Sequence, residues 1–278
     1  MTSSARAGPW VSGSVSEQRR MPAIEGFLLD IDGVLCVSWQ PIPGSAEALA
    51  ALQRADVPVC LITNTTTHTR AELAGTLRDA GFAIASDRIV TAVTATAEHI
   101  RTAHPGASVF VLSDGDARRD MEGITLVDAP EAADAIVLGG ASEEFSYRTV
   151  GEVFRAIMDG APLIAMHRNM YWMTSRGLAL DAGAYVAGLE AATGTTATIC
   201  GKPAPAYFRA ALDVLDVPAE RAAMVGDDIV NDVEGARAIG LTGILVRTGK
   251  YREGDLDRGA PDLVLDRLAD LPTWLGLC

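Results

Sequence analysis

The sequence predicts an α/β protein: a mainly parallel sheet with helices on both faces, carrying a second, inserted α/β unit. Three observations point there. Short apolar runs alternate with segments of helical period along most of the chain. Polar and acidic residues collect where several of those apolar runs end. Finally, 138 residues separate Thr63 from Lys202, whereas a single crossover between parallel strands needs only about a dozen.

The elements follow in order. GFLLDI (26–31), PVCLIT (58–63), VFVLS (109–113), AIVLGG (135–140), PLIAM (162–166), AAMVG (222–226) and GILVR (243–247) are brief, continuous apolar runs. That is the pattern of strands covered on both faces. Segments 45–55, 68–80, 147–159, 204–215 and 231–239 have helical period. In 204–215, for example, Phe208, Ala211, Leu212 and Leu215 form one stripe at i, i+3, i+4 and i+7. Alternating strands and helices imply parallel pairing. The long stretch after Thr63 has its own alternation, so an inserted domain is expected over 87–184, with 21–86 and 185–278 forming the main domain. Residues 1–20 are rich in Ser, Gly and Arg and are expected to be a disordered leader, with Met21 as an alternative start.

The bulk composition excludes several classes. Across 278 residues the formal net charge is −13 and the sequence pI is about 4.7. Such a surface repels nucleic acid and anionic membrane, and neither is expected as a partner. It also repels anionic substrates at long range, so a phosphate site has to be built from local cations and backbone donors. No apolar run approaches the ~20 residues of a membrane span, and the first residues lack a signal-peptide core. Cys36, Cys60, Cys200 and Cys278 show neither paired nor metal-ligand spacing. With Cys60 and Cys200 inside apolar runs, buried thiols and a reducing, cytoplasmic compartment are expected.

Ligands of open parallel sheets bind beyond the carboxyl ends of the strands. Asp30 and Asp32 stand at the first such end, followed by Gly33, which permits a tight turn with backbone N–H groups facing an anion. A carboxylate nucleophile beside a second carboxyl group suits phosphoryl transfer: one attacks phosphorus, the other protonates the leaving oxygen and later activates water. A plain strand-capping turn is the competing reading. Thr63 and Asn64 end a second run, where they can hold phosphoryl oxygens or simply cap a helix starting near His68. Lys202, between Gly201 and Pro203, offers a cation for the nucleophile and the transferring phosphate; a solvated lysine is the alternative. Asp227, Asp228 and Asp232 follow a further run. Asp30, Asp227 and the carbonyl of Asp32 would suit Mg²⁺, with Asp228 and Asp232 behind them or at a helix N-terminus.

Taken together, DIDGV (30–34), ITN (62–64), GKP (201–203) and GDDIVND (226–232) resemble the four marks of the haloacid dehalogenase (HAD) superfamily, in that order. The resemblance covers the chain from about residue 24 onward. The insertion between Thr63 and Lys202 resembles type IIA members, which carry an α/β cap of C2 type there. GKPAPAYF, GDDIVNDVEGA and VRTGKYREGD look like the branch containing phospholysine phosphohistidine inorganic pyrophosphate phosphatase, with 4-nitrophenyl and pyridoxal phosphatases as more distant relatives. Some members of that branch carry Ser at the position of Asp32; here the Asp pair is complete. The resemblance implies a Rossmann-like core and a Mg²⁺-dependent phosphatase of small phosphorylated metabolites, with pyrophosphate and P–N bonds as further candidates. It implies Asp30 as nucleophile and Asp32 as general acid/base. Thr63, Asn64 and Lys202 would then bind substrate, and Asp30, Asp32 and Asp227 the metal. Two other functions fit the same residues: an idle phosphate- or metabolite-binding regulatory protein, and a phosphotransferase. Specificity is expected from the cap, with Arg168 and Arg176 holding an anionic tail and Tyr171 or Trp172 stacking on a ring, unless these residues serve cap packing or a homodimer contact.

Overall fold

The structure, a computed structural model, describes residues 23–174 and 177–277, the side chains of Ala117 and Trp172–Thr174 excepted. The expected leader 1–20 and Cys278 lie outside the described residues. Two parallel sheets dominate. The first has six strands in the order Leu263–Leu265, Thr242–Val246, Ala222–Gly226, Gly26–Asp30, Val59–Thr63, Ile89–Thr91. The second has five, in the order Thr198–Ile199, Leu163–Ala165, Ala135–Leu138, Ser108–Leu112, Thr125–Val127. Every pairing in both is parallel.

The apolar runs become strands because helices cover both faces. All five residues of Gly26–Asp30 are buried, as are all five of Val59–Thr63 and of Ala222–Gly226. Phe27, Leu29, Leu61, Val225 and Ile244 point to one side, against helices Ser45–Arg54 and Arg70–Asp79. Leu28, Cys60, Ile62 and Met224 point to the other, against Tyr207, Phe208, Ala211 and Leu215 of helix Pro205–Leu215. The 204–215 stripe is therefore core. Of the four cysteines, Cys36, Cys60 and Cys200 are buried free thiols.

Three features depart from the sequence expectation. The sheets divide the chain at other points than 87 and 184: Ile89–Thr91 pairs with the first sheet and Thr198–Ile199 with the second. These strands are only three and two residues long, too short to show a periodicity. Segment 231–239 is not one helix; it opens as a π-helical turn at Ile229–Glu234 and continues only through Gly235–Arg237. Finally, segment 167–181, which carries the cap residues Arg168, Tyr171, Trp172 and Arg176 and reads in the sequence as a loop, contains an antiparallel hairpin, Tyr171–Thr174 with Gly177–Leu180.

The register explains where polar side chains meet. Gly26–Asp30 is central, with Val59–Thr63 on one side (Asp30 beside Ile62) and Ala222–Gly226 on the other (Leu29 beside Val225). The chain leaving Val59–Thr63 also touches the second unit. Thr66 Oγ1 accepts from Gly140 N–H at 3.0 Å, and Arg70 N–H donates to Asp120 Oδ2 at 2.7 Å.

Candidate active site

Asp30 is the last residue of the central strand and is 5% exposed. Two residues on, the chain turns back: Leu35 and Cys36 N–H both donate to Ile31 C=O, and Gly33 N–H donates to Cys36 C=O. Gly33 has φ +92, and a Cβ there would lie 1.9 Å from Asp227 Oδ2, so only glycine fits this turn. Asp32 is exposed, and its carboxylate accepts from Ser38 N–H at 3.3 Å. Within Asp-x-Asp, then, the first carboxylate is buried and the second faces solvent. They do not share one cluster of side chains.

Lys202, 5% exposed, reaches the carboxylate of Asp30. Its Nζ lies 2.8 Å from Asp30 Oδ1 and 2.7 Å from Asp232 Oδ1. Asn64 sets that reach. Its Nδ2 donates to Lys202 C=O at 3.0 Å, and its Oδ1 accepts from Lys202 N–H at 2.8 Å. Both ends of the Asn64 amide are thus spent on the lysine backbone, and its side chain orients the cation. Thr63 is buried, with Oγ1 accepting from Thr65 N–H at 3.2 Å. Neither residue caps the next helix, which is capped by Thr69 in a capping box with Glu72.

Asp227 follows the neighbouring strand and is 1% exposed. Asp228 caps the π turn, accepting from the N–H groups of Val230 and Asn231 at 3.0 Å and from Asn231 Nδ2 at 2.7 Å. That turn swings Asp232 inward, where Oδ2 accepts from Asp228 N–H at 3.1 Å. Asp232, expected behind the metal ligands or at a helix N-terminus, is a direct ion partner of Lys202. The spacing Gly226-Asp227-x₄-Asp232 carried that signal, but nothing in the sequence marks the π turn that delivers it. Tyr207 was not singled out in the sequence. Its hydroxyl accepts from Thr63 N–H at 2.9 Å and lies 2.8 Å from Thr63 C=O and 2.9 Å from Val90 C=O, fixing the end of the Thr63 strand.

Three acidic side chains crowd together here. Carboxylate oxygens of Asp30, Asp227 and Asp232 lie within 4.8 Å of one another. Burial, with Asp30 and Asp232 adding to it, pushes Asp227 up to about 8. Burial also pushes Asp232 up to about 6, although Lys202 pulls the other way. For Lys202 burial opposes the charge, but Asp232 and Asp30 outweigh it and hold the ammonium above its ordinary range. Two carboxylate oxygens, Asp227 Oδ1 and Asp232 Oδ1, are buried without a hydrogen-bond partner; the second has the Lys202 ammonium at 2.7 Å, the first has no such cation. An orphaned carboxylate oxygen within a carboxylate cluster fits a hard divalent cation with oxygen ligands, which would satisfy the oxygen and lower both raised pKa values. Three side chains would hold it or stand beside it: Asp30, Asp227 and Asp232. The expected contribution of Asp32 is its backbone carbonyl, which is separate from its exposed carboxylate.

In the second unit, Arg168 pairs with Glu190 of helix Ala182–Thr193, so its guanidinium serves packing there. Tyr171 is 65% exposed. The expectations for Arg176 and for the Trp172 side chain fall outside the described residues.

Comparison with known proteins places this geometry. Residues 27–126 match the family model described as haloacid dehalogenase-like hydrolase, and residues 199–271 match a HAD-hydrolase-like model. The chain is 40% identical over 240 residues to haloacid dehalogenase-like hydrolase domain-containing protein 2 of Rattus norvegicus, covering 86% of this chain and 90% of that one. It is 35% identical over 242 residues to phospholysine phosphohistidine inorganic pyrophosphate phosphatase of Mus musculus, covering 85% and 87%. Among solved structures, p-nitrophenyl phosphatase from Archaeoglobus fulgidus superposes with a TM-score of 0.84 at 29% identity, covering 91% of this chain and all of that one. The chain therefore belongs to the haloacid dehalogenase-like hydrolase family.

Proposed function

We propose that this enzyme is a Mg²⁺-dependent phosphatase that hydrolyses a small phosphorylated metabolite through a phosphoryl group carried on Asp30. The observation that carries this reading is the placement of Asp30. A buried carboxylate at the end of the central strand holds Lys202 at 2.8 Å and lies in a cluster with Asp227 and Asp232. A carboxylate so fixed is oriented for attack, and the ammonium beside it offsets the charge of an incoming phosphate.

The chain's own residues divide the work. Asp30 attacks phosphorus, and the bond to the leaving oxygen breaks. That oxygen takes a proton from Asp32, which is close in sequence, exposed, and held by Ser38 N–H at 3.3 Å. In the second half Asp32, now a carboxylate, takes a proton from water. The hydroxide formed attacks phosphorus, inorganic phosphate leaves, and Asp30 is regenerated. Thr63 at the neighbouring strand end is placed to hold a phosphoryl oxygen, while Asn64 keeps Lys202 in register with Asp30. A bound Mg²⁺ supplies charge neutralisation of the transferring phosphoryl group.

Phosphomonoesters are the favoured substrates, supported by the nitrophenyl phosphatase structures. The relative named for phospholysine, phosphohistidine and pyrophosphate adds P–N and P–O–P bonds as candidates. The test is hydrolysis of 4-nitrophenyl phosphate by the metal-stripped protein, with and without added Mg²⁺, followed by a screen of phosphorylated metabolites including pyrophosphate. Turnover that persists unchanged in excess EDTA would show that the acidic cluster is structural. No turnover of any ester with Mg²⁺ present would favour a binding protein.

A further inference from the structure

The segment Val246-Arg247-Thr248-Gly249-Lys250-Tyr251 contributes none of the groups invoked so far, yet it lies across the site. It leaves the strand Thr242–Val246, which pairs with the Asp227-bearing strand Ala222–Gly226. Thr248 Oγ1 donates to Gly33 C=O, in the turn that follows Asp30. Two residues later, Lys250 N–H donates to Asp227 Oδ2 at 2.6 Å. Gly249 between them has φ +60, and a Cβ there would lie 2.0 Å from Asp227 Oδ2 and 2.4 Å from the Cα of Gly33. The backbone therefore passes in van der Waals contact over both the Asp-x-Asp-Gly turn and Asp227, a path open only to glycine.

The consequence concerns the two oxygens of Asp227. Oδ2 is taken by a short, charge-assisted bond from the Lys250 backbone. Oδ1 is buried and has no partner. A carboxylate anchored through one oxygen cannot rotate freely, so the other is presented in one fixed direction. The Thr248 bond ties the same segment to the Gly33 turn, so the Asp30 loop and Asp227 move together.

We propose that Thr248, Gly249 and Lys250 form a positioning strap, which holds Asp227 by its Oδ2 and the Gly33 turn by its carbonyl so that Asp227 Oδ1 stands ready for the divalent cation. This rests on the metal-dependent reading above and assigns no group in the strap to the reacting atoms. The ordering of the carboxylate, not contact with the cation, is the strap's contribution. Groups that orient a metal ligand in this way change affinity by about 10–100-fold when removed.

The test is direct binding of Mn²⁺ to the metal-stripped, full-length protein by titration calorimetry, with thermal unfolding of each variant recorded in parallel. Thr248→Val keeps the shape of the side chain and removes the donor; Thr248→Ser keeps the donor. The expected result is weaker Mn²⁺ binding by about tenfold or more in Thr248→Val, near-wild-type binding in Thr248→Ser, and an unchanged KM for 4-nitrophenyl phosphate at saturating Mg²⁺ in both. If Thr248→Val does not fold, Thr248→Ala is read in its place. Wild-type Mn²⁺ affinity in the donor-less variant, or a lower melting temperature with no change in affinity, overturns the strap. Asp227→Asn separates the two levels. If it binds Mn²⁺ as wild type does, the metal site itself is wrong. If it loses binding while Thr248→Val does not, only the strap is wrong.

Discussion

The Lys202 ammonium bridges Asp30 and Asp232, at 2.8 and 2.7 Å, with all three side chains almost wholly removed from solvent. Breaking a buried ion pair from one side strands the other charge and costs about 3–5 kcal/mol, much more than an exposed pair is worth. Lys202→Met should therefore destabilise the fold by that order and abolish turnover. Adding Asp232→Asn removes one stranded carboxylate, so the double variant should regain part of the stability and none of the activity. Urea unfolding of the single and double variants measures this. A double variant no more stable than the single one would show that the two residues are not energetically coupled.

Asp30→Asn nearly preserves volume and removes the attacking charge. Hydrolysis of 4-nitrophenyl phosphate should fall to background while the protein remains folded. The acid-stable, hydroxylamine-sensitive phosphoryl label expected on the wild type should be absent from the variant. A folded Asp30→Asn protein that still turns over, or that still acquires the label, would remove Asp30 from the mechanism.

Tyr207 supports the site from behind. Replacing it with Phe leaves Thr63 N–H buried without its acceptor and frees two carbonyls. An unmet buried donor costs about 1–3 kcal/mol. Tyr207→Phe should lose stability in that range, measurable by urea unfolding, and lower kcat by less than tenfold, because no group that touches the phosphoryl moiety is removed. A loss of activity as deep as that of Lys202→Met would mean that the Thr63 strand end has a larger part in the chemistry than the geometry implies.

The residues just named show what was legible in the sequence. Asp30, Thr63 and Asp227 stood at the ends of apolar runs, and the three strands concerned are parallel neighbours, so those ends lie on one side; Lys202 was marked instead by its setting between Gly201 and Pro203. The strands themselves were readable because those of the central sheet are buried on both faces and so are apolar at every position. Short or edge strands were not: Thr125–Val127 is mostly exposed, and Leu263–Leu265 is only partly covered. The role of Asn64 was unreadable because its partner, Lys202, lies 138 residues away. The contacts around Gly249 were likewise hidden, since one comes from the Lys250 backbone N–H and the other ends on the Gly33 backbone carbonyl. The outward turn of the Asp32 carboxylate was not readable, because alternation along a strand does not continue through a turn.

The last prediction concerns acidity. His167 follows the strand Leu163–Ala165 and is 3% exposed. Its Nδ1 accepts from Asn169 N–H at 3.3 Å, and its Nε2 lies 3.9 Å from Asp181 Oδ2. Asp181 in turn caps helix Ala182–Thr193 and accepts from Ala141 N–H at 3.1 Å. Burial lowers the pKa of His167; Asp181 pulls the other way without reversing it. A histidine whose folded pKa is depressed takes up its proton first in the unfolded chain. Below its ordinary value of about 6.5 the unfolded state binds more protons, so stability falls as pH falls, by up to about 1.4 kcal/mol per unit, until the folded pKa is reached. Above about 6.5 both states are neutral and the effect vanishes. Asp227 and Asp232, whose folded pKa values are raised, act in the opposite sense, so the total pH profile mixes signs. The difference between wild type and His167→Gln isolates the histidine. Glutamine retains an acceptor for Asn169 N–H and does not titrate. Measured by urea unfolding between pH 7.5 and about 5, a range set to span the ordinary histidine pKa, the wild type should lose stability relative to the variant as the pH drops. A difference that stays constant across the range would show that His167 is protonated equally in the folded and unfolded states, and that Asp181 fully offsets its burial.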